Sequence, residues 1–295
     1  MNGRPDNTPL GILLVLLAMS IVPAMDGIAK HLGETYSVFE ITWARFFFHF
    51  LILCPIVFWR YGRRAFHVPR FGLQVFRGGL LLLATICFFA SLQWLPMADT
   101  LSLFFISPLI VTGLSPWLLG EQVGVRRWSA VVVGFIGALI IVRPGIGVFE
   151  WASLFGLGSG ACYAAYIIIT RKLSGTAPPL VTLAFTAMLG AVALSVMVPV
   201  VWIPPADLAT WGLMVALGVI AATGHFLLIV AYERAPAPVL APYHYSEIIM
   251  TTIIGYAVFS DFPDRWTLLG IAVVVGSGIY ISLREKPKKP VIETL

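Results

Sequence analysis

The sequence predicts an all-α integral membrane protein: ten transmembrane helices, arranged as two inverted five-helix repeats around a central cavity. Of its 295 residues 59% are hydrophobic and only 11% are charged, and the mean hydropathy is +0.93. Soluble proteins carry about 25% charged residues, so one soluble core could not bury this much apolar surface. Because a membrane helix takes about 20 residues, the chain holds about ten spans with short loops and no soluble domain.

Apolar runs bounded by charged residues, prolines or glycines give the spans in order. They are expected near residues 10–32, 38–59, 72–94, 98–119, 128–143, 151–173, 179–202, 208–232, 237–258 and 266–283. The fifth run is short and would have to borrow flanking residues to cross the bilayer. The first run has a signal peptide as its alternative, since Val22-Pro23-Ala24 resembles a cleavage site, but the run is longer than a signal peptide needs.

Basic residues are distributed unequally between the two sides of these spans. With a cytoplasmic N-terminus, most of the 19 Lys and Arg residues, Arg77 among them, fall on the cytoplasmic side, and only Arg143 and Arg265 fall on the other. By the positive-inside rule both termini are then cytoplasmic. The net charge of +5 is a topology signal with mild attraction to anionic lipid, and no basic run is long enough to indicate nucleic-acid binding.

Landmarks of the first half recur 140 positions later. This shift superposes Leu95–Ala98 on Ala235–Pro238 and Glu121 on Asp261. Since five spans are an odd number, the second copy enters the membrane upside down, which is the inverted-repeat design of many secondary transporters, with the substrate site near the midplane. We expect the repeats to be residues 1–145 and 146–295, and the links at Pro96 and Pro236 to act as hinges.

Span 9 carries the polar residues that are hardest to explain by packing. A charged side chain at mid-bilayer costs roughly 2.5–3.5 kcal/mol, so Glu247 should face a cavity, carry a proton or pair with a cation. In an α-helix Tyr243, His244, Glu247 and Thr251 share one face, which we expect to line the cavity. A structural network between helices is the alternative. A metal site is not expected, because His244 and Glu247 lack a second ligand pair.

Spans 1 and 2 add charges of both signs. Asp26 and Lys30 lie one turn apart, so Asp26 either pairs with Lys30 or faces the substrate. Arg45, on one face with His49, stays charged and needs an acidic partner, for which Asp26 and Glu40 are candidates, or backbone carbonyls. Its role is either an ion pair that fixes the helices or binding of a substrate carboxylate.

Tyr163 and Tyr166 in span 6 and His225 in span 8 complete the candidate lining. Packing is the commoner role of such aromatic residues, but with histidines and an acid they suit zwitterions or aromatic metabolites. The predicted substrate-binding residues are Glu247, His244, Tyr243, Arg45, Asp26, His49, Tyr163, Tyr166 and His225. We expect no catalytic residues, no metal and no cofactor.

Other function classes lack their motifs in this sequence. There is no His-Glu-x-x-His pair, and Gly158-Ser159-Gly160 lacks the preceding glycine of a nucleophile motif, which argues against an enzyme. No Walker motif indicates an ATP-driven pump. Gly156, Gly160 and Ala164 form a small-residue ridge that favours packing within the chain over a dimer seam, so we expect a monomer or a weak dimer.

The same residues carry a family resemblance. Pro96–Thr100, Ser107-Pro108-Leu109 and Leu118–Glu121, followed by the glycines of span 5, resemble the signature of the EamA branch of the drug/metabolite transporter superfamily. Arg45 and Gly255–Asp261 fit it too, and nearly the whole chain is covered. The resemblance implies ten helices, a cavity lined by spans 1–4 and 6–9, and carriage of small metabolites.

Two positions depart from the family pattern. Asp261 stands where the family often has Glu, and Glu247 stands where the first repeat has Ser107. Among bacterial members, the resemblance favours inner-membrane exporters of amino acids, aromatic ones included, similar to YddG. The alternatives are uptake carriers for riboflavin or S-adenosylmethionine and, third, a membrane receptor without transport. The expected mechanism is alternating access, with protons as the candidate coupling ion.

Overall fold

The computed structural model describes residues 7–62, 68–120, 123–143, 151–173, 176–235 and 237–284, and in these ranges it is all-α. In chain order the helices are α1 (Thr8–Leu32), α2 (Val38–Tyr61), α3 (Phe71–Leu92), α4 (Met97–Phe104), α5 (Ser107–Leu118), α6 (Val125–Val142), α7 (Ala152–Lys172), α8 (Pro179–Val201), α9 (Leu208–Tyr232), α10 (Ala237–Leu240), α11 (Glu247–Phe259) and α12 (Arg265–Arg284). A 3-10 helix, Ala241–Ser246, joins α10 to α11.

Seven segments are long and apolar enough to cross a membrane. They are α1, α2, α3, the segment Met97–Leu118 that α4 and α5 share, α7, α8 and α9. Trp128–Val142 within α6 and Arg265–Tyr280 within α12 are apolar but shorter. The protein is therefore a multi-pass membrane protein, and the count of ten crossings stays a prediction.

Side-chain caps fix the starts of three of these helices. At the start of α1 the Asn7 side chain accepts a hydrogen bond from the backbone amide of Leu10. In the same way Ser37 accepts from the amide of Glu40 at α2, and Asp207 accepts from the amide of Thr210 at α9. Each cap satisfies a backbone N–H that has no partner within the helix. The Asp207 carboxylate accepts from the backbone and hydroxyl of Thr210, and these bonds lower its pKa.

Two predicted spans are interrupted. Span 4 breaks at Phe105 and Ile106, because Pro108 has no N–H to donate to the Phe104 carbonyl four residues earlier and its ring crowds that carbonyl. Span 9 begins with the short α10 and the 3-10 helix, and regular α-helix starts only at Glu247. The prediction of one continuous helix over 237–258 was therefore wrong.

Helix packing recurs when 140 is added to the residue numbers. A Cβ on Gly78 of α3 would meet Leu189 of α8, and a Cβ on Gly218 of α9 would meet His49 of α2. Adding 140 to 78 gives 218, and subtracting 140 from 189 gives 49. The same close approach of two helices is thus made twice, once from each half of the chain.

The contact between α6 and α12 maps onto itself under the same shift. A Cβ on Gly134 would meet Ser277, and a Cβ on Gly137 would meet Val274. Residue 134 becomes 274 and residue 137 becomes 277, so the shift exchanges the two contacts. The glycines therefore pack helix against helix within the chain. Glu121 and Pro236, two landmarks of the predicted repeat, lie outside the described residues.

The close helix approach at Gly218 gives a stability prediction. Gly218→Ala should lower the free energy of unfolding by about 1–3 kcal/mol, because the new methyl group meets the α2 backbone at the His49 nitrogen, 2.6 Å away. Gly212→Ala on the same helix is the control, since nothing lies within 4 Å of that position and Ala has the higher helix propensity. Thermal unfolding in detergent measures both; equal midpoints for the two variants would contradict this packing.

Candidate substrate site

Three charged side chains from three helices meet in the membrane interior. Asp26 of α1 is 3% exposed, Glu247 opens α11 and is 9% exposed, and Arg45 lies on α2. Arg45 interacts electrostatically with Asp26, and Asp26 with Glu247. We call these three residues the interior charge cluster. It combines two acids and one base, contributed by both halves of the chain.

The cluster leaves hydrogen-bonding capacity unused. A terminal nitrogen of Arg45 donates to the Thr85 hydroxyl of α3, while its Nε has no partner. Among the described residues, neither carboxylate of the cluster has a hydrogen-bond partner or an ion pair within 4.0 Å. Glu40 is not the partner of Arg45, because it accepts from the backbone of Ile203. The three side chains therefore lie near one another without forming direct ion pairs.

Two histidines stack beside the cluster. The rings of His49 on α2 and His225 on α9 are 5.6 Å apart and nearly parallel, at 8°. His49 is buried, and its Nε2 has no hydrogen-bond partner. Both histidines interact electrostatically with Arg45. The structure therefore brings both predicted histidines of α2 and α9 to the predicted site.

Aromatic rings cover another side of the cluster. Tyr163 and Tyr166 of α7 stack at 5.6 Å, and Phe104 lies 4.8 Å from Tyr163. Tyr163 interacts electrostatically with Arg45 and Glu247. These rings offer an apolar surface with polar edges next to the charges.

The predicted face of span 9 is only partly correct. His244 lies against Tyr232 of α9, with its Nε2 3.3 Å from the tyrosine hydroxyl. Tyr243 is 37% exposed, whereas its neighbour Tyr245 is buried against Phe105. A 3-10 helix has 3.0 residues per turn, so it rotates these side chains away from the α-helical register. The prediction that Tyr243 shares a face with Glu247 was wrong, and Tyr245 was missed.

Gln74 and Arg77 were missed as well. Both lie on α3 and are almost completely buried, although the charge count places Arg77 with the residues that flank the membrane. Arg77 donates to the Thr182 carbonyl and the Thr186 hydroxyl of α8, and its guanidinium lies 5.4 Å from the centre of the Tyr166 ring. The criterion that singled out Arg45, a polar residue inside an apolar run, applies equally to these two.

Lys30 does not pair with Asp26. Its ammonium donates to the Asp261 carboxylate at 2.7 Å and to the Leu95 carbonyl at 2.8 Å, and it lies 5.3 Å from the centre of the Phe259 ring. The alternative in which Asp26 and Lys30 satisfy one another was therefore wrong. Asp26 is left to the interior charge cluster.

A second ion pair also joins the two halves of the chain, and its aspartate follows Asp261 by three residues. Arg143 and Asp264 are 2.7 Å apart. Burial raises the pKa of Asp264, but hydrogen bonds from Thr267 and Arg143 outweigh it, and the net pKa is below the usual range. We call the two pairs, Lys30 with Asp261 and Arg143 with Asp264, the outer latch.

Two clefts open elsewhere on the molecule. One, of about 360 Å³, is lined by apolar residues that include Ile106, Ala138 and Leu157. The other, of about 370 Å³, lies between Trp43, Ser195 and Trp202. Neither of these two clefts is lined by residues of the interior charge cluster.

Comparison with known proteins assigns this chain to a family. The EamA-like transporter family model matches the chain twice, over residues 9–143 and 150–283. The chain belongs to the EamA-like transporter family. The resemblance to the EamA branch of the drug/metabolite transporter superfamily is thus confirmed, and the two matched segments each cover about half of this EamA-like chain.

Similar proteins of this family are membrane transporters. The S-adenosylmethionine uptake transporter of Rickettsia bellii (strain RML369-C) is 28% identical, over 97% of this chain and 98% of that protein. The pseudopaline exporter CntI of Pseudomonas aeruginosa (strain UCBPP-PA14) is 28% identical, over 94% and 97%. The riboflavin transporter of Vibrio cholerae serotype O1 is 28% identical, over 77% and 76%. These relatives agree with the prediction of a transporter, not an enzyme.

A solved crystal structure supports the fold. It covers 94% of this chain and 96% of its own, with a TM-score of 0.63 and 19% sequence identity. At this identity the likeness concerns the arrangement of the helices alone. This EamA-like chain therefore shares its helix arrangement with a protein of quite different sequence.

The outer latch gives a prediction about paired charges. Lys30→Asp and Asp261→Lys should each lower thermal stability, because each places two like charges at an ion pair of 2.7 Å. The double variant should recover part of the loss, with a coupling energy of about 0.5–3 kcal/mol. Thermal unfolding of the four proteins measures this cycle. Strictly additive losses would show that the pair does not couple the two halves.

Proposed function

We propose that this protein is a secondary transporter of the bacterial inner membrane that moves amino-acid-type zwitterions by alternating access. The interior charge cluster carries the proposal. It presents one guanidinium and two carboxyl groups, from both halves of the chain, with unused hydrogen-bonding capacity in a buried place. A solute that carries both a carboxylate and an ammonium group complements such a cluster, and a neutral solute does not.

The charges can be assigned to the groups they would bind. The Arg45 guanidinium, already oriented by Thr85, is suited to a carboxylate, since its planar fork donates two parallel hydrogen bonds. Glu247 and Asp26 are acceptors for an ammonium or another cation. The cost of holding these groups in the membrane is roughly 2.5–3.5 kcal/mol each by insertion scales, so the site favours a partner that relieves it.

The aromatic rings favour a side chain of some size. Tyr163 stacks on Tyr166, and Phe104 contacts Tyr163 with its ring tilted by 43°, so three rings adjoin one another next to the cluster. Aromatic or sulfur-containing amino acids would pack on these faces while their charged groups meet Arg45 and Glu247. S-adenosylmethionine contains the same α-amino and α-carboxylate groups, so the relative from Rickettsia bellii supports this substrate class.

The membrane topology we propose is that of two inverted repeats, residues 1–145 and 146–295, with ten crossings and both termini in the cytoplasm. Contacts exchanged by the shift of 140 support the repeat, and the unequal distribution of Lys and Arg supports the orientation. Because five crossings separate equivalent helices, each repeat opens toward the opposite side of the membrane. Rocking one repeat against the other then exposes the cluster to one side at a time.

Export is the direction we propose, and protons are the candidate coupling ion. Relatives exist in both directions, an uptake transporter and an exporter. Glu247, Asp26 and the stacked histidines offer buried groups that can take up a proton during the cycle. Direction follows from the gradients, while the binding chemistry is the same for both.

Counterflow in liposomes tests the substrate class. Purified protein should exchange labelled L-phenylalanine and S-adenosylmethionine. Phenethylamine, which lacks the carboxylate, and 3-phenylpropionate, which lacks the amine, should not compete with them, because each fills only half of the cluster. Competition by either half-molecule at the concentration of the full zwitterion, or transport of riboflavin alone, would contradict the proposal.

Glu247→Gln tests the acid of the cluster. Removing its charge should lower counterflow of the zwitterions at least about tenfold, or abolish its pH dependence, while the protein stays folded. Glu34→Gln is the control, because Glu34 is an exposed carboxylate in the α1–α2 connection. Normal counterflow with normal pH dependence in Glu247→Gln would remove Glu247 from the mechanism.

Arg45→Lys tests the carboxylate partner. A lysine keeps the charge but loses the planar fork, so the KM for L-phenylalanine should rise about tenfold or more. Arg60→Lys, at the exposed end of the same helix, should leave the KM unchanged. An unchanged KM in both variants would assign Arg45 to helix packing through Thr85.

A further inference from the structure

A second polar site lies on α3, nearer to its cytoplasmic start than the interior charge cluster is. Gln74 is 0% exposed, and both atoms of its amide group lack a hydrogen-bond partner. Arg77, one turn later, is 3% exposed, and its Nε has no partner. Buried polar groups are nearly always satisfied in folded proteins. Three unsatisfied atoms one turn apart therefore indicate a missing ligand.

Arg77 is held in place by groups that leave this side of it free. One terminal nitrogen of Arg77 donates to the Thr182 carbonyl at 2.9 Å and to the Thr186 hydroxyl at 2.7 Å. The Nε–H of Arg77 and the amide group of Gln74 are buried and have no hydrogen-bond partner. A guanidinium fixed on one side, with a second donor group beside it, has the chemistry of a carboxylate site.

This second site is linked to the interior charge cluster by aromatic rings. The Arg77 guanidinium lies 5.4 Å from the Tyr166 ring centre, Tyr166 stacks on Tyr163, and Tyr163 interacts with Arg45. Thr85, which accepts from Arg45, follows Arg77 by eight residues on α3, about 12 Å along the helix. The two arginines thus mark two levels of one path, with tyrosines between them.

The fold does not require these polar residues. The shift of 140 that relates Gly78 to Gly218 relates Gln74 to Met214 and Arg77 to Leu217. Met214 and Leu217 are fully buried members of an apolar cluster. The same helix packing is therefore built from apolar side chains in the other half, so packing at these two positions does not require polar residues.

We propose that Gln74 and Arg77 form a second binding subsite, which takes the carboxylate of the transported solute on the cytoplasmic side of the interior charge cluster. The inference deepens the proposed function and rests on it. We assign the subsite to the solute and not to a lipid phosphate, because α3, α7 and α8 enclose it. Phe71 also packs on Phe185 at the start of α3. In the inward-open state it holds the carboxylate before Arg45 does.

Charge-selective labelling of Gln74→Cys tests the subsite. Cys54, Cys87 and Cys162 are free thiols and are first replaced. Anionic and cationic methanethiosulfonates of similar size are then applied from the cytoplasmic side of proteoliposomes made of phosphatidylcholine. The anionic reagent should react about tenfold faster than the cationic one, because Arg77 attracts it. Adding Arg77→Gln should bring the ratio close to one.

Met214→Cys is the matched control. It occupies the equivalent position beside Leu217, so its labelling should show no preference for the anionic reagent. Thermal unfolding of each variant checks that the protein is folded before labelling. L-phenylalanine and S-adenosylmethionine should protect Gln74→Cys from the reagent, and L-phenylalaninamide, which lacks the carboxylate, should not.

Each outcome decides the matter. No labelling by either reagent, or equal rates while Arg77 is present, would overturn the subsite, as would anion preference without protection by any carboxylate solute. Protection by phosphatidylglycerol in place of solute would assign the site to lipid and overturn it too. If labelling prefers the anionic reagent in an Arg77-dependent way but no zwitterion counterflow occurs, the proposed function is wrong and an anion site remains. If counterflow occurs without this labelling preference, only the subsite is wrong.

Discussion

The structure depends on one constraint: a charge in or near the membrane loses solvating water, so it is stabilised by a partner or left able to bind one. The chain meets this constraint in two ways. Lys30 and Arg143 each form an ion pair of 2.7 Å with an aspartate of the other half. Asp26, Arg45 and Glu247 lie together without such pairs. The paired charges join the two halves, and the unpaired ones are the groups that we propose bind the solute.

The two halves share backbone packing but not chemistry. Under the shift of 140, Gly78 corresponds to Gly218, and both sit at a close helix approach. Arg45 corresponds to Phe185, and Glu247 to Ser107. Small residues therefore recur at equivalent helix approaches, while these polar residues occur in only one half. This asymmetry of charge within symmetric packing is what the proposed binding of a zwitterion requires.

Apolar runs predicted the helices well because the need for about 20 apolar residues is a local property of the chain. The predicted span 38–59 corresponds to Val38–Tyr61. The sequence could not predict ion pairs between residues that are far apart in the chain. Lys30 binds Asp261, 231 positions away, whereas spacing along one helix had indicated Asp26 as its partner. Face assignment failed at Tyr243 because it assumed an α-helix where the chain forms a 3-10 turn.

The strength of the outer latch agrees with the proposed alternating-access cycle, in which the latch would open. Lys30 and Asp261 keep 15% and 30% of their side-chain surfaces exposed, and Arg143 and Asp264 keep 21% and 50%. Ion pairs with this access to water contribute roughly 0–1 kcal/mol, so breaking both costs little compared with binding a solute. Charges as buried as Asp26 would cost far more to separate from a partner, since each would stay desolvated. In the proposed cycle, weak pairs at one end and unpaired charges at the centre would let solute binding, and not the latch, decide which state is populated.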